Sequence, residues 1–384
     1  MIPYGRQDIT EEDILSVTEV LRSDFLTQGP AVERFEASVA DAVGAPFAVA
    51  VNSATSALHI ACLALDVGPG DIVWTSPVTF VASANCARYC GADVDFVDID
   101  ESTYNLSVSA LRTKLEVAQA ENRLPKVVIP VHLAGQSCDM KAIAGLAKEF
   151  GFRVIEDASH GIGGSYKDSP VGNCQYSDIT VFSFHPVKIV TTGEGGVATT
   201  KDDALAERMQ RLRSHGITRD TALMTKASDG PWYYQQLELG FNYRMTDIQA
   251  ALGISQMNRL RSFVDRRRQL AMQYSEKLSE LPLILPHQIS ESDSSWHLYI
   301  VRVKAEGKIA RDQLFDALRE RGIGVNLHYI PVHLQPYYQA LGFQSGDYPV
   351  AESYYQDALS IPLFHGMSDA EQDIVVASLR ELLI

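Results

Sequence analysis

The chain is poor in features that would tie it to an oxidising or membrane setting. Only five cysteines occur in 384 residues, scattered as Cys62, Cys86, Cys90, Cys138 and Cys174. An odd, dispersed set in a chain of this size argues against a disulfide framework and reads as free thiols. No Cys-x-x-Cys pair is present, and Cys86 with Cys90 has no second pair to complete a zinc set. Long apolar runs are missing too, so no segment reads as a bilayer span. The opening Met1-Ile2-Pro3-Tyr4-Gly5-Arg6-Gln7-Asp8 lacks the charged-then-apolar layout of a secretory signal, which makes the cytoplasm the expected location. Positive charge is scarce. Against 48 acidic residues stand 33 basic ones, and the net charge of −15 argues against nucleic acid as a partner. The first strand-like run is followed by Asn52-Ser53-Ala54-Thr55 rather than Gly-x-Gly-x-x-Gly, which argues against a dinucleotide-binding oxidoreductase. Internal repeats and low-complexity tails are also missing.

What is present is an ordinary globular composition, 46% hydrophobic and 21% charged, with length for two domains. Residues 8–23 read as a helix with Thr10 at its start. Leu26 to Pro30 is a turn, and Val32, Phe35, Val39 and Val43 mark a second helix that Gly44 can close. Short β-rich runs then follow at Ala48–Val51, Ile72–Trp74, Val94–Val97, Val127–Val131, Arg153–Ile155, Ile179–Phe182 and Gly196–Thr199. Helical segments such as 55–65 and 139–150 separate several of them, the pattern of a mostly parallel sheet covered by helices. A long helical region near 245–281 leads to the serine-rich break Ser290–Ser295. Beyond it, Trp296–Val303 and Gly324–His328 read as strands of a smaller α+β domain. The expected division is an N-terminal segment 1–30, a large domain 31–260 and a small C-terminal domain 261–384.

The chemistry-bearing stretch is Ser183-Phe184-His185-Pro186-Val187-Lys188, followed by Thr192-Gly193-Glu194-Gly195-Gly196. A lysine just past an apolar strand, on irregular backbone, can be desolvated, lose its proton and attack a carbonyl. A solvated loop lysine is the plainer reading of that pattern alone. Upstream, Val154-Ile155-Glu156-Asp157 ends another apolar strand in a carboxylate. Pyridoxal phosphate needs this pair: a lysine for the Schiff base and an acid to keep the pyridine nitrogen protonated. In an open α/β sheet both Lys188 and Asp157 would lie at carboxyl ends of strands, where such folds bind ligands.

Further motifs run in order along nearly the whole chain. They are Leu26-Thr27-Gln28-Gly29-Pro30, Asn52-Ser53-Ala54-Thr55-Ser56, Thr79-Phe80-Val81-Ala82-Ser83, Arg213-Ser214-His215-Gly216, Gly240-Phe241-Asn242-Tyr243-Arg244 and His328-Tyr329-Ile330-Pro331. With Lys188 and Asp157, the chain resembles the DegT/DnrJ/EryC1/StrS sugar aminotransferases, which use pyridoxal phosphate on 4-keto nucleotide sugars. Within that family it looks most like the branch of pseudaminic acid biosynthesis, which aminates C4 of a UDP-linked 4-keto-6-deoxy-N-acetylhexosamine. The resemblance implies a fold type I transferase and a homodimer with shared active sites. It also implies L-glutamate as amino donor and pyridoxamine phosphate as the form carrying the amine. An aminotransferase for a GDP- or dTDP-linked sugar is the alternative. A 3-dehydratase of the same fold is disfavoured, because those enzymes carry histidine where this chain has Lys188.

The resemblance also implies roles, each with a plainer competitor. Ser53, Ala54 and Thr55 would hold the cofactor phosphate at a helix N-terminus, although Ser and Thr there equally serve as caps. Phe80 would stack on the pyridine ring rather than fill the core. His160 would sit near the ring and its 3′-oxygen, against a structural histidine. Ser183 would contact phosphate or cofactor, while His185 could simply shape the turn. Asn242 would reach the phosphate in the neighbouring subunit, against a polar loop. Tyr4, Asp24, Phe25, Leu26, Thr27, His328, Tyr329, Ile330 and Pro331 would line the sugar and nucleotide pocket. No metal site is expected. The basic cluster Arg259, Arg261, Arg266, Arg267 and Arg268 reads as a solvated helix face in preference to a phosphate site.

Overall fold

Apolar runs bounded by turns make the centre of the molecule a seven-stranded sheet, in the computed structural model that describes residues 1–304 and 308–384. Its strands are β1 (Phe47–Val51), β2 (Ile72–Thr75), β3 (Asp93–Phe96), β4 (Val127–Ile129), β5 (Arg153–Asp157), β6 (Ile179–Ser183) and β7 (Gly196–Thr200). They lie in the order β1-β7-β6-β5-β4-β2-β3. Neighbours from β6 across to β3 pair in parallel, and only β7 runs against its neighbours β1 and β6. Parallel strands need crossovers, and the crossover helices cover both faces, which is why strands such as β6 are buried along their whole length. The fold is that of a type I pyridoxal phosphate-dependent transferase, and all the strand-like runs expected before residue 200 fall on these strands within a residue or two.

The helices that matter for the site are set by local chemistry. α1 (Glu11–Leu21) starts where the Asp13 carboxylate accepts the Thr10 backbone N–H at 2.9 Å. α2 (Pro30–Val43) has proline in its first turn and ends on left-handed Gly44, φ 71°. α3 (Ala54–Ala64) begins at Ser53, whose hydroxyl accepts the Ser56 N–H at 3.1 Å. α4 (Ala82–Tyr89) follows the turn that carries Phe80.

Three expectations need correction. The helical region near 245–281 is two helices, α5 (Asp247–Met257) and α6 (Leu260–Lys277), broken at Asn258-Arg259. Arg259 is drawn off the helical path to Asp8 and the buried Asp13, at 2.8 and 2.6 Å. Gly324–His328 forms no strand. It makes a single bridge, Asn326 to Ser360, beside a small sheet of β8 (Leu283–Ile284), β9 (Tyr299–Val303) and β10 (Ala358–Ile361). Arg267 is no solvated residue. It is 2% exposed, and its guanidinium donates to the carbonyls of Trp296, His297 and Leu363. Arg266 and Arg268 do face outward, pairing with Asp369 and Asp293. The five cysteines are free thiols, four of them buried and Cys90 half-buried. Among the described residues no helix is long and apolar enough to cross a membrane.

Candidate active site

The carboxyl ends of β1, β5 and β6 open onto one cavity of about 660 Å³, the size range of small-molecule sites. The sheet explains why these residues meet. β5 and β6 are parallel neighbours, so Asp157 at the end of one stands beside the turn after the other, which carries Lys188. Because β7 runs the opposite way, its first residue, Gly196, pairs with both Val51 and Ser183 at this same end. The α3 N-terminus thereby sits against Gly196 and next to the lysine turn. Its first N–H groups have no acceptor within the helix, and with the Ser53 and Thr55 side chains they form a cradle for a phosphate.

Lys188 is half-buried in the cavity wall, and desolvation there pulls its amine down to about 8 while the nearby Asp157 charge opposes the shift. Asp157 is itself buried and accepts from Ser83 Oγ at 2.6 Å and from the Ser159 N–H at 3.0 Å. Behind it, Glu156 is held ionised despite full burial by His132 at 2.7 Å and by Ser177 and Thr180. Besides the exposed His185, three buried histidines share the cavity wall with the lysine: His160, His297 and His328. Burial, with Lys188 adding, keeps these three neutral, and His328 is pushed down to about 3. The Ala134 N–H donates to His160 Nδ1 at 3.2 Å, which leaves the ring proton on Nε2. That proton is donated to Tyr329 Oη, 3.1 Å away, so the phenol hydrogen is free to point elsewhere.

Of the residues expected for the cofactor, Ser53, Ala54, Thr55, Phe80, Asp157, His160, Ser183 and Lys188 line this cavity, as do Tyr4, His328 and Tyr329 of the sugar set. Phe80 is 58% exposed on its rim, the position of a stacking residue and not of a core one. Asn242 is not in this cavity. It is exposed, bridged to Ser214 on the far side of β1. Asp24, Phe25, Leu26 and Thr27 also lie outside it, on an exposed turn held where the Leu26 carbonyl accepts the Asp247 N–H. Ile330 and Pro331 follow Tyr329 away from the cavity. His297, Ser159, Glu194 and Asn326 line it without having been anticipated. His297 carried the best signal, a histidine directly after the polar break, at the mouth of a strand. No arginine of the cluster 259–268 borders the cavity.

These residues fit pyridoxal phosphate: an anion cradle, a half-buried amine of lowered basicity, a carboxylate fixed by two donors and an aromatic rim. The free amine is the nucleophile, so capture of the aldehyde by cofactor-free protein is expected to accelerate about tenfold per pH unit below the Lys188 value of about 8 and level off above it. Asp157→Asn removes the charge that holds the proton on, and should move that levelling point to lower pH. Stopped-flow absorbance during reconstitution reads both, and a pH-independent rate would contradict the assignment of Lys188 as that amine.

The sequence profile of the DegT/DnrJ/EryC1/StrS aminotransferase family matches residues 7–380. The spore coat polysaccharide biosynthesis protein SpsC of Bacillus subtilis is 41% identical, covering 100% of this chain and 97% of SpsC. Among solved structures, Spr1654 from Streptococcus pneumoniae, proposed to be a sugar aminotransferase, superposes in its pyridoxamine phosphate form with a TM-score of 0.90. It is 32% identical and covers 100% of this chain and 99% of Spr1654. It has also been solved with pyridoxal phosphate, at a TM-score of 0.88. Helicobacter pylori PseC, an aminotransferase involved in the biosynthesis of pseudaminic acid, superposes with a TM-score of 0.91 at 28% identity, covering 100% and 99% of the two chains.

Proposed function

Because this chain belongs to the DegT/DnrJ/EryC1/StrS aminotransferase family, we propose that it moves the amino group of L-glutamate to C4 of a UDP-linked 4-keto-6-deoxy-N-acetylhexosamine. Its class, a sugar aminotransferase with pyridoxal phosphate as cofactor, is the premise. The substrate is the proposal, and what supports it is the likeness to PseC along the full chain. The identity to SpsC, a spore coat polysaccharide biosynthesis protein, exceeds that to PseC, so a different 4-keto sugar, GDP- or dTDP-linked, is kept as the second reading.

The cofactor supplies an aldehyde that takes up the amine and an electron-poor ring that makes the donor's α-hydrogen acidic. The chain does the rest. Ser53, Thr55 and Ser183, with the α3 N-terminus, would hold its phosphate, and Lys188 its aldehyde carbon. Asp157 would keep the ring nitrogen protonated, and Phe80 would lie on one ring face. Lys188 Nζ, as a free amine, would be the base that takes a proton off the glutamate α-carbon. In the second half it returns a proton to C4 of the sugar. His160, His297 and His328, kept neutral by burial, add no positive charge to the wall beside that base. Tyr4, His328 and Tyr329 stand where the keto sugar must enter.

The working unit in this reading is a homodimer. Asn242 is exposed and outside its own cavity, and on the segment leading to it Trp232 and Leu239 are 72% and 79% exposed, apolar side chains that a second copy could cover. Asn242 would then complete the neighbouring phosphate cradle.

Incubating loaded protein first with glutamate and then with the UDP-4-keto sugar tests the proposal. The visible band should bleach with glutamate and return with the sugar, and mass spectrometry should find an aminated UDP-sugar. Recovery only with a GDP- or dTDP-linked keto sugar would move the assignment to the second reading.

A further inference from the structure

Ser83 has no part in the chemistry above, yet its side chain is wholly buried and reaches the carboxylate on which that chemistry depends. We propose that Ser83, itself oriented by Thr79, is a positioning residue that aims the Asp157 carboxylate at the cofactor's ring nitrogen. The inference rests on Asp157 being the ring-nitrogen partner.

The backbone of Asp157 is fixed by the sheet, its N–H donated to Pro130 and its carbonyl accepting from His132. Its side-chain torsions are not fixed by that pairing, and a buried carboxylate turned away from the ring would pair with nothing. Two donors hold it. The Ser159 N–H binds Oδ1 at 3.0 Å and Ser83 Oγ binds Oδ2 at 2.6 Å, one on each oxygen, which defines the plane of the group. An ionised carboxylate has no proton to give, so Ser83 must be the donor in this contact. Its oxygen is then left to accept, and Thr79 Oγ1 lies 2.7 Å away with 2% exposure for Thr79 and none for Ser83. The order is therefore Thr79 to Ser83 to Asp157. The alternative acceptor for Ser83, the Phe80 carbonyl, is 3.4 Å off and weak.

The same turn presents Phe80. Thr79 and Ser83 bracket it, so one short segment sets both the stacking ring and the orientation of the acid. A displacement of α4 would misplace both together.

The test uses the full-length, cofactor-loaded protein. Ser83→Ala is expected to slow the single-turnover reaction with glutamate by about tenfold to a hundredfold, the loss of one hydrogen bond to a charged group. It should weaken cofactor affinity and shift the pH midpoint of the bound cofactor's visible band, readouts a merely structural serine would not move. Thr79→Val should give a smaller change in the same direction, about threefold, and Ser83→Thr should restore most of the rate. In an Asp157→Ala background, Ser83→Ala should add less than about twofold, because the residue acts through that carboxylate. The thermal midpoint of each cofactor-free variant checks that the fold persists. An undiminished Ser83→Ala effect in the Asp157→Ala background overturns the proposal, as does a Ser83→Ala protein with unchanged rate, affinity and pH midpoint. If Asp157→Ala itself changes nothing, the role of Asp157 fails first and separately.

Discussion

Lys188→Ala is expected to abolish turnover, with a loss of at least about ten-thousandfold in kcat, since one amine serves as both covalent anchor and proton carrier. Among the described residues no other lysine borders the cavity, and the buried His160, His297 and His328 are held neutral, so none of these inherits the task. The phosphate cradle is untouched by the change, so the variant should still bind the cofactor, without the covalent link. Substantial transamination by the purified variant would refute the assignment. The same variant tests the shared site. Mixed with an inactive Asn242→Ala partner, it should regain activity in heterodimers, because one of the two sites then combines an intact Lys188 with an intact Asn242. Failure to recover any activity after confirmed exchange of subunits would remove Asn242 from the neighbouring site.

The second large effect is expected at a residue with no side chain to react, behind the phosphate cradle. A Cβ at Gly196 would sit 2.5 Å from the Ala54 nitrogen and from the carbonyl carbon and oxygen of Ser53, all backbone atoms. Nothing flexible is available to yield. Either β7 leaves its register with β1 and β6, or the start of α3 moves, and the phosphate cradle is lost in both cases. Gly196→Ala should therefore weaken the cofactor by about a hundredfold or more, the scale of a misplacement near one ångström, and cost about 1–3 kcal/mol of stability from overpacking. Titration of the cofactor-free variant with pyridoxal phosphate and thermal unfolding measure the two parts. Gly145→Ala is the control, because a Cβ there meets nothing within 4 Å. It should stabilise the 140–150 helix by up to about 1 kcal/mol. A Gly196→Ala protein with unaltered affinity would mean the strand end is not what seats the cradle.

The central sheet was legible because its strands are short apolar runs cut by turn residues, a signal that needs no tertiary information. The Ser53 cap, Asp157 and Lys188 were legible for the same reason, each standing where a periodic segment stops. What escaped was decided across long sequence distances. The break at Asn258-Arg259 is made by Asp8 and Asp13, some 250 positions upstream, which no local propensity encodes. Arg267 looked like its exposed neighbours until three carbonyls from two other segments closed around it. Gly324–His328 had the composition of a strand but shares only one bridge with the small sheet, so its backbone instead delivers His328 and Tyr329 to the cavity. Ser83 resembled any serine in the first turn of a helix. Only its distance to Asp157 separates it from a cap. Asn242 was marked by family resemblance alone, and it lies exposed outside the cavity.

The bridge between Ile2 and Ile323, reinforced by the Ile2 N–H on the Gly322 carbonyl and the Gly324 N–H on the Ile2 carbonyl, ties Ile2 to a segment made long after the central sheet. Tyr4, two residues on, packs against His328 in the cavity wall, their ring centroids 5.6 Å apart, and Tyr329 lies beside them. On the ribosome, the sheet and Lys188 are therefore complete more than a hundred residues before the walls around the lysine are. Throughout that interval the amine keeps the ordinary basicity of an exposed lysine and is almost wholly protonated at neutral pH, a poor nucleophile. Its depressed basicity belongs to the finished molecule, and the chain acquires its reactive lysine and its protection from stray chemistry in the same late step.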